Sequence, residues 1–169
     1  MWSGRPNAVL VDVASGLSAG TALDLGCGEG GDAVWLARQG WRVTAVDVSA
    51  TALARATERA AAAGLADRID VQRHDITRSF PVGAFDLVSA QYLQSPAAFR
   101  REPVLQAAVR AVTLGGPLLV VDHASVPPPR WRVERLVRAS REATGPTGET
   151  GPLIDNVVAV RRSGPRAGD

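Results

Sequence analysis

The stretch Leu23-Asp24-Leu25-Gly26-Cys27-Gly28-Glu29-Gly30-Gly31 has the composition of a ligand-facing turn, with glycine at 26, 28, 30 and 31. It lies between a short aliphatic run and a segment with helical spacing, and its glycines leave no Cβ to obstruct a close ligand. The spacing Gly-x-Gly-x-Gly is not the Gly-x-Gly-x-x-Gly of dinucleotide-binding loops. Glu29 and Asp32 at the mouth of the following helix would repel a pyrophosphate, whereas an amine or a sulfonium would suffer no such repulsion. The plainer alternative is a tight strand-to-helix turn that binds nothing.

Two further acids stand at the ends of aliphatic runs. Asp47 comes 23 residues after Asp24, where a carboxylate can take both ribose hydroxyls of an adenosine, or can simply start a helix. His74-Asp75-Ile76 closes a third run, and Asp75 is placed either to accept from an adenine amino group or to cap a turn. No His, Asp or Glu cluster has metal-ligand spacing, and no serine sits in a Gly-x-Ser-x-Gly elbow. Cys27 is the single cysteine, which excludes an internal disulfide framework and a cysteine-cluster metal site.

These residues need elements to hold them. Aliphatic or β-branched runs at Thr21–Leu25, Arg42–Val46, Ile69–Gln72, Phe85–Ala90 and Leu118–Asp122 read as strands. They alternate with helix-patterned stretches at Asn7–Gly16, Asp32–Gln39, Ala50–Ala63 and Pro96–Thr113. Ser49 is placed to cap the third helix, Gly40 and Gly64 to end the second and third. The linker between the third and fourth strands is too short for a crossover helix. Trp131–Ala139 and Ile154–Arg161, separated by a turn-rich segment, read as a hairpin. The expected fold is α/β: a doubly wound, mostly parallel seven-stranded sheet ending in an antiparallel β-hairpin.

Length and composition agree. A chain of 169 residues, 46% hydrophobic and 21% charged, suits one domain with one sizeable core. All 19 basic residues are arginines, spread along the chain, so the net charge of +2 is not gathered into a nucleic-acid-binding stripe. No run reaches the roughly 18 apolar residues of a membrane span, and a cytoplasmic location is the expectation.

Leu23 to Gly30, Asp47 and Asp75, followed by Phe85-Asp86-Leu87-Val88 and Gly115-Gly116, resemble the class I S-adenosylmethionine-dependent methyltransferases. The type is similar to the small bacterial proteins related to tellurite-resistance and thiopurine methyltransferases. The resemblance implies S-adenosyl-L-methionine as cofactor, with Asp24 and Gly26 at its methionine part, Gly28 and Gly30 beneath it, Cys27 among the cofactor-binding residues, Asp47 on the ribose and Val48 against the adenine. His74, Asp75 and Ile76 would lie at the adenine edge. Ala90 and Gln91, with Tyr92, would close over the methionine and face the acceptor. Trp2 and Asn7 match an entrance motif near the cofactor. His123 and Tyr92 are the groups expected to take a proton from the acceptor, although His123 also reads as a turn histidine.

Two departures from the family pattern stand out. The usual helix over the cofactor near the N-terminus and the usual helix before the hairpin are both missing, so a missing or mobile segment is expected near 124–131. The expected reaction is methyl transfer to a small-molecule acceptor, with no nucleic-acid, membrane or metal partner; Ala90-Gln91-Tyr92-Leu93 stands where a nucleic-acid methyltransferase would carry an Asn/Asp-Pro-Pro-Tyr type motif. The alternative is a catalytically degenerate protein that binds S-adenosylmethionine or S-adenosylhomocysteine as a sensor.

Overall fold

The computed structural model describes residues 4–93, 101–122, 133–144 and 150–161. Their elements run α1 (Ala8–Ala14), β1 (Thr21–Leu25), α2 (Gly31–Arg38), β2 (Arg42–Asp47), α3 (Ala50–Ala62), β3 (Ile69–Arg73), β4 (Leu87–Gln91), α4 (Arg101–Ala111), β5 (Pro117–Asp122), β6 (Val133–Thr144) and β7 (Thr150–Arg161). The seven strands form one sheet in the order β3-β2-β1-β4-β5-β7-β6. The first five are parallel and β7 joins β5 antiparallel, with β6 antiparallel to β7 at the edge. The strand order reverses at β1, which pairs with β2 on one side and β4 on the other. Ligands of open α/β sheets bind in the crevice that such a reversal opens at the carboxyl ends of the strands.

Alternation along the strands sends side chains to two cores. On one face Ala22, Val43, Ala45, Leu87, Leu119 and Val121 pack under α1, α2 and α3 through Leu10, Val34, Leu36, Leu53 and Ala60. On the other, Leu23, Leu25, Val46, Val88, Leu118 and Val120 pack with Val104, Leu105 and Ala108 of α4. Both faces of β1, β4 and β5 are therefore buried, as the continuous aliphatic runs require. Ser49 caps α3 by accepting from the Ala52 amide, and Gly40 and Gly64 follow α2 and α3 with φ of 95° and 68°.

The hairpin strands are longer than the sequence pattern indicates. Pairing extends from Val133↔Val160 out to Thr144↔Thr150, so the turn-rich appearance of Thr150-Gly151-Pro152 hides a strand end. Pro152 is tolerated because the ladder beyond β5 is two-stranded there. The 124–131 junction lies outside the described residues, as do 94–100 at the expected start of the fourth helix.

Asp86 ties together the amino ends of the sheet. Its Oδ2 accepts from the Thr21 amide at 2.9 Å and the Thr21 hydroxyl at 3.0 Å, and its Oδ1 from the Thr113 hydroxyl at 3.1 Å. β1, the entry to β4 and the turn before β5 thus share one carboxylate, at the end of the sheet opposite the glycine turn. The Thr21 amide, ahead of opposing desolvation and then the two hydroxyls, holds the Asp86 carboxyl below its ordinary range. A depressed carboxyl contributes stability above the unfolded-state value and loses it as pH falls through the folded value. Asp86→Ala is expected to lower unfolding free energy by about 1 kcal/mol near neutrality, and urea titrations should show that deficit shrinking towards pH 3.

Candidate active site

The glycine turn leaves β1 at the reversal point. The Gly26 and Cys27 amides both donate to the Val46 carbonyl at 2.9 Å, which fastens the turn to the end of β2. Gly26, Gly28 and Gly30 have φ of 72°, 53° and 79°, a region costly for residues with a Cβ. At Gly26 a Cβ would also stand 2.8 Å from the Leu93 side-chain terminus, so the side chain after β4 packs directly on the turn.

Asp24 is 1% exposed, and its Oδ2 has no hydrogen-bond partner. Its register partner on β4 is Ser89, also buried, which accepts from Gln91 Nε2 at 2.8 Å while Gln91 Oε1 is left buried and unpaired. One face at the ends of β1 and β4 thus presents two acceptors with nothing to accept from. Burial first, then the nearby Asp32 and Asp47, push the Asp24 carboxyl well above the usual carboxylate range. Such a group binds a cation with less competition from water than an exposed acid would. Burial raises the Cys27 thiol as well, which keeps it an unreactive packing group.

Asp47 has both oxygens engaged by main chain. Oδ2 accepts from the Gly28 amide at 3.0 Å and Oδ1 from the Ser49 amide at 2.8 Å. The carboxylate thus stands at the start of α3 and also fixes the glycine turn. Val48 beside it is 60% exposed, one of three large apolar side chains left open among the described residues.

Elsewhere the structure redistributes the expected roles. Glu29 does not face the mouth of α2; its carboxylate bonds Arg55 at 2.5 Å and Arg59 at 3.4 Å on α3. Asp32 accepts from the Asn7 amide at 2.6 Å. Burial raises its carboxyl, opposed by that hydrogen bond. The Asn7 side chain caps α1 through the Val9 amide. Asp75 accepts from the Thr77 amide and hydroxyl and pairs with Arg78 at 3.5 Å. The Thr77 hydroxyl is the main cause of its lowered pKa, so its carboxylate serves the turn. His74 is held between Gln72 and Ser79 at 3.0 Å each. Ile76 lines an open groove of about 570 Å³ with Phe80, Pro103, Val104 and Ala107, on the α4 side of the sheet.

Ala90 is wholly buried and Gln91 half-buried at the end of β4. Tyr92 follows with φ of 49°, the one non-glycine positive φ among the described residues. Its amide donates to the Val121 carbonyl at 2.8 Å, and its ring packs beside the α1–α3 core. A bulky residue held in that region is strained, and such strain gathers at functional sites. Trp2 and His123 lie outside the described residues. Composition and motif spacing missed Ser89, Arg59 and the half-buried ion pair between Arg101 and Asp122 that joins α4 to β5. Arg55 and Arg59 sit four apart on one helix face, the one sign that they share a partner.

Residues 22–116 match a family model described as a methyltransferase domain. The chain belongs to this family. A 50-residue segment is 54% identical to ribosomal RNA small subunit methyltransferase C of Alcanivorax borkumensis, covering 30% of this chain and 15% of that protein. Over 106 residues it is 38% identical to aclacinomycin 10-hydroxylase RdmB of Streptomyces purpurascens, covering 62% of this chain and 28% of the other. The chain thus spans less than a third of either curated relative. The crystal structure of TehB from Haemophilus influenzae superposes with a TM-score of 0.79 at 21% identity, over 93% of this chain and 62% of that one. The fold is that of a small class I S-adenosylmethionine-dependent methyltransferase. One expectation is corrected: a missing motif and scattered arginines do not rule out nucleic acid as a partner class, because a ribosomal RNA methyltransferase is among the relatives. The motif argument failed because it tests one type of acceptor pocket, and the charge argument because it looks for a patch only within this chain. No helix among the described residues is long and apolar enough to cross a membrane.

The raised Asp24 carboxyl fixes the sign of a stability effect. The unfolded chain releases this proton near the ordinary carboxylate value and the folded chain retains it to higher pH. Stability therefore falls as pH rises between those two values. Asp24→Asn should raise the melting temperature of the ligand-free protein near neutral pH by roughly 2–4 °C while abolishing S-adenosylhomocysteine binding. Thermal melts and calorimetry on the same samples test both halves.

Proposed function

We propose that this chain binds S-adenosyl-L-methionine across the carboxyl ends of β1 and β2 and transfers its methyl group to a small-molecule acceptor. The observation that carries the reading is Asp24: a buried carboxylate with one oxygen unpaired, at a glycine turn, beside Asp32 and Asp47. A cationic ammonium satisfies that oxygen and relieves the repulsion among the three acids. Gln91 Oε1 offers a second buried acceptor. Asp47 would turn its carboxylate to the ribose while retaining the Gly28 and Ser49 amides, since each carboxylate oxygen has a second acceptor site. Exposed Val48 and the side chain of Ile76 offer apolar surface to the adenine.

The cofactor supplies an electrophilic methyl on a sulfonium, so the protein's share of catalysis is alignment and exclusion of water. Leu93 packed on Gly26 closes the methionine side. Tyr92, held by its strained backbone at the end of β4, and His123 are the groups we assign to take the acceptor's proton.

Two experiments test the proposal. Calorimetry should give S-adenosylhomocysteine binding, and Asp47→Ala should weaken it by roughly 10- to 100-fold, the loss of one or more hydrogen bonds to a charged group. Incubation with a methyl-labelled donor and a panel of thiols, amines, phenols and ribosomal RNA should then label a small molecule. Label in RNA alone would overturn the acceptor class, and failure to bind S-adenosylhomocysteine would overturn the cofactor. Tight binding with no transfer to any acceptor would favour the sensor reading.

A further inference from the structure

The entrance segment, residues 4–7, has no strand or helix of its own, yet it lies directly on the glycine turn. A Cβ at Gly31, the first residue of α2, would stand 3.1 Å from the Arg5 carbonyl oxygen and 3.3 Å from that of Gly4. Two side chains fasten the segment there. Asp32 takes the Asn7 amide at one end. At the other, Arg59 Nη1 donates to the Gly4 carbonyl oxygen at 3.0 Å, while Arg59 Nη2 pairs with Glu29 Oε2. Glu29 belongs to the turn itself, between Gly28 and Gly30, and Arg55 holds its other oxygen. One guanidinium therefore bonds the ligand-binding turn and the segment above it at once. Its planar fork does this with two separate nitrogens, which a single ammonium reproduces poorly.

We propose that Arg59, oriented by Glu29, is a positioning residue that holds the entrance segment against the glycine turn and thereby sets the residence time of the bound cofactor. The inference rests on the cofactor reading above. Without Arg59 the segment loses its attachment at Gly4 and retains the one at Asn7. With it, moving the segment away from the turn requires breaking the Arg59 bond to Gly4 or the Arg59 pair with Glu29. Arg55 shares Glu29 but its hydrogen bond ends there, so it tests whether the reach to Gly4 matters or only the charge on Glu29.

The test uses Arg59→Met, which keeps the apolar stem, with Arg59→Lys and Arg55→Met beside it, each checked by circular dichroism. Amide hydrogen exchange without ligand should show faster exchange in Arg59→Met confined to residues 4–9, with α3 and the sheet unchanged. Stopped-flow displacement should show S-adenosylhomocysteine leaving about 5- to 20-fold faster from Arg59→Met, with association altered less than twofold. Arg59→Lys should fall between, and Arg55→Met should resemble the wild type. Wild-type exchange and dissociation in Arg59→Met would overturn the proposal, as would an equal effect of Arg55→Met. Wild-type protein that binds no S-adenosylhomocysteine would overturn the cofactor reading and the residence claim with it, while the exchange comparison would still decide whether Arg59 holds the segment.

Discussion

The burial of the Asp24 carboxylate constrains the rest of the site. Removing a carboxyl from water without a full set of partners costs free energy, and Asp32 and Asp47 add repulsion. Two cores offset that cost, because β1, β4 and β5 are covered on both faces by aliphatic side chains and the helices packed on them. The position is also the one the topology favours. β1 is the strand at which the sheet order reverses, so its carboxyl end opens into a crevice. A residue one step away in register would point to the α4 face, where Leu23 and Leu25 are fully packed. Alternation along β1 thus decides which side of the sheet carries the acid.

The turn that follows is held by acids acting on backbone rather than on one another. Asp47 bridges the Gly28 amide and the start of α3, and Asp32 grips the start of α1 through Asn7. Each carboxylate that would otherwise only repel Asp24 is also a structural acceptor, which explains why three acids can crowd one loop. Glu29 is removed from the group altogether by two arginines. The charge left at the turn is negative, suited to a single positive group close by.

Much of this was legible in the sequence where a local signal fixes a local structure. The aliphatic run at Thr21–Leu25 has the bounds of β1, Ser49 caps the helix it precedes, and the β3–β4 linker contains no helix. Signals that depend on a distant partner were not legible. Phe85 and Asp86 have strand-like character but precede β4, since Asp86 is drawn to Thr21 and Thr113 and Phe85 only bridges to Val112. Glu29 read as a helix-mouth acid because nothing near it in sequence reveals Arg55 and Arg59, 26 and 30 residues away. Asp75 carried two readings, and the choice made by its carboxylate depends on Thr77, two residues on but invisible to a motif built around the adenine.

The same division separates cofactor chemistry from reaction. The glycine turn, Asp24 and Asp47 lie within residues 22–116, the span matched by the methyltransferase family model. The curated relatives of the chain include proteins named for ribosomal RNA methylation and for hydroxylation. Tyr92 lies in the same span, directly after β4. Its ring is anchored in the same core as Cys27 at the floor of the turn, and its left-handed backbone turns the chain away from the sheet directly after β4. A strained residue is maintained only where surrounding packing over-determines it. The Val121 carbonyl and the α1–α3 core supply that packing, which makes the exit from β4 a fixed point of the chain.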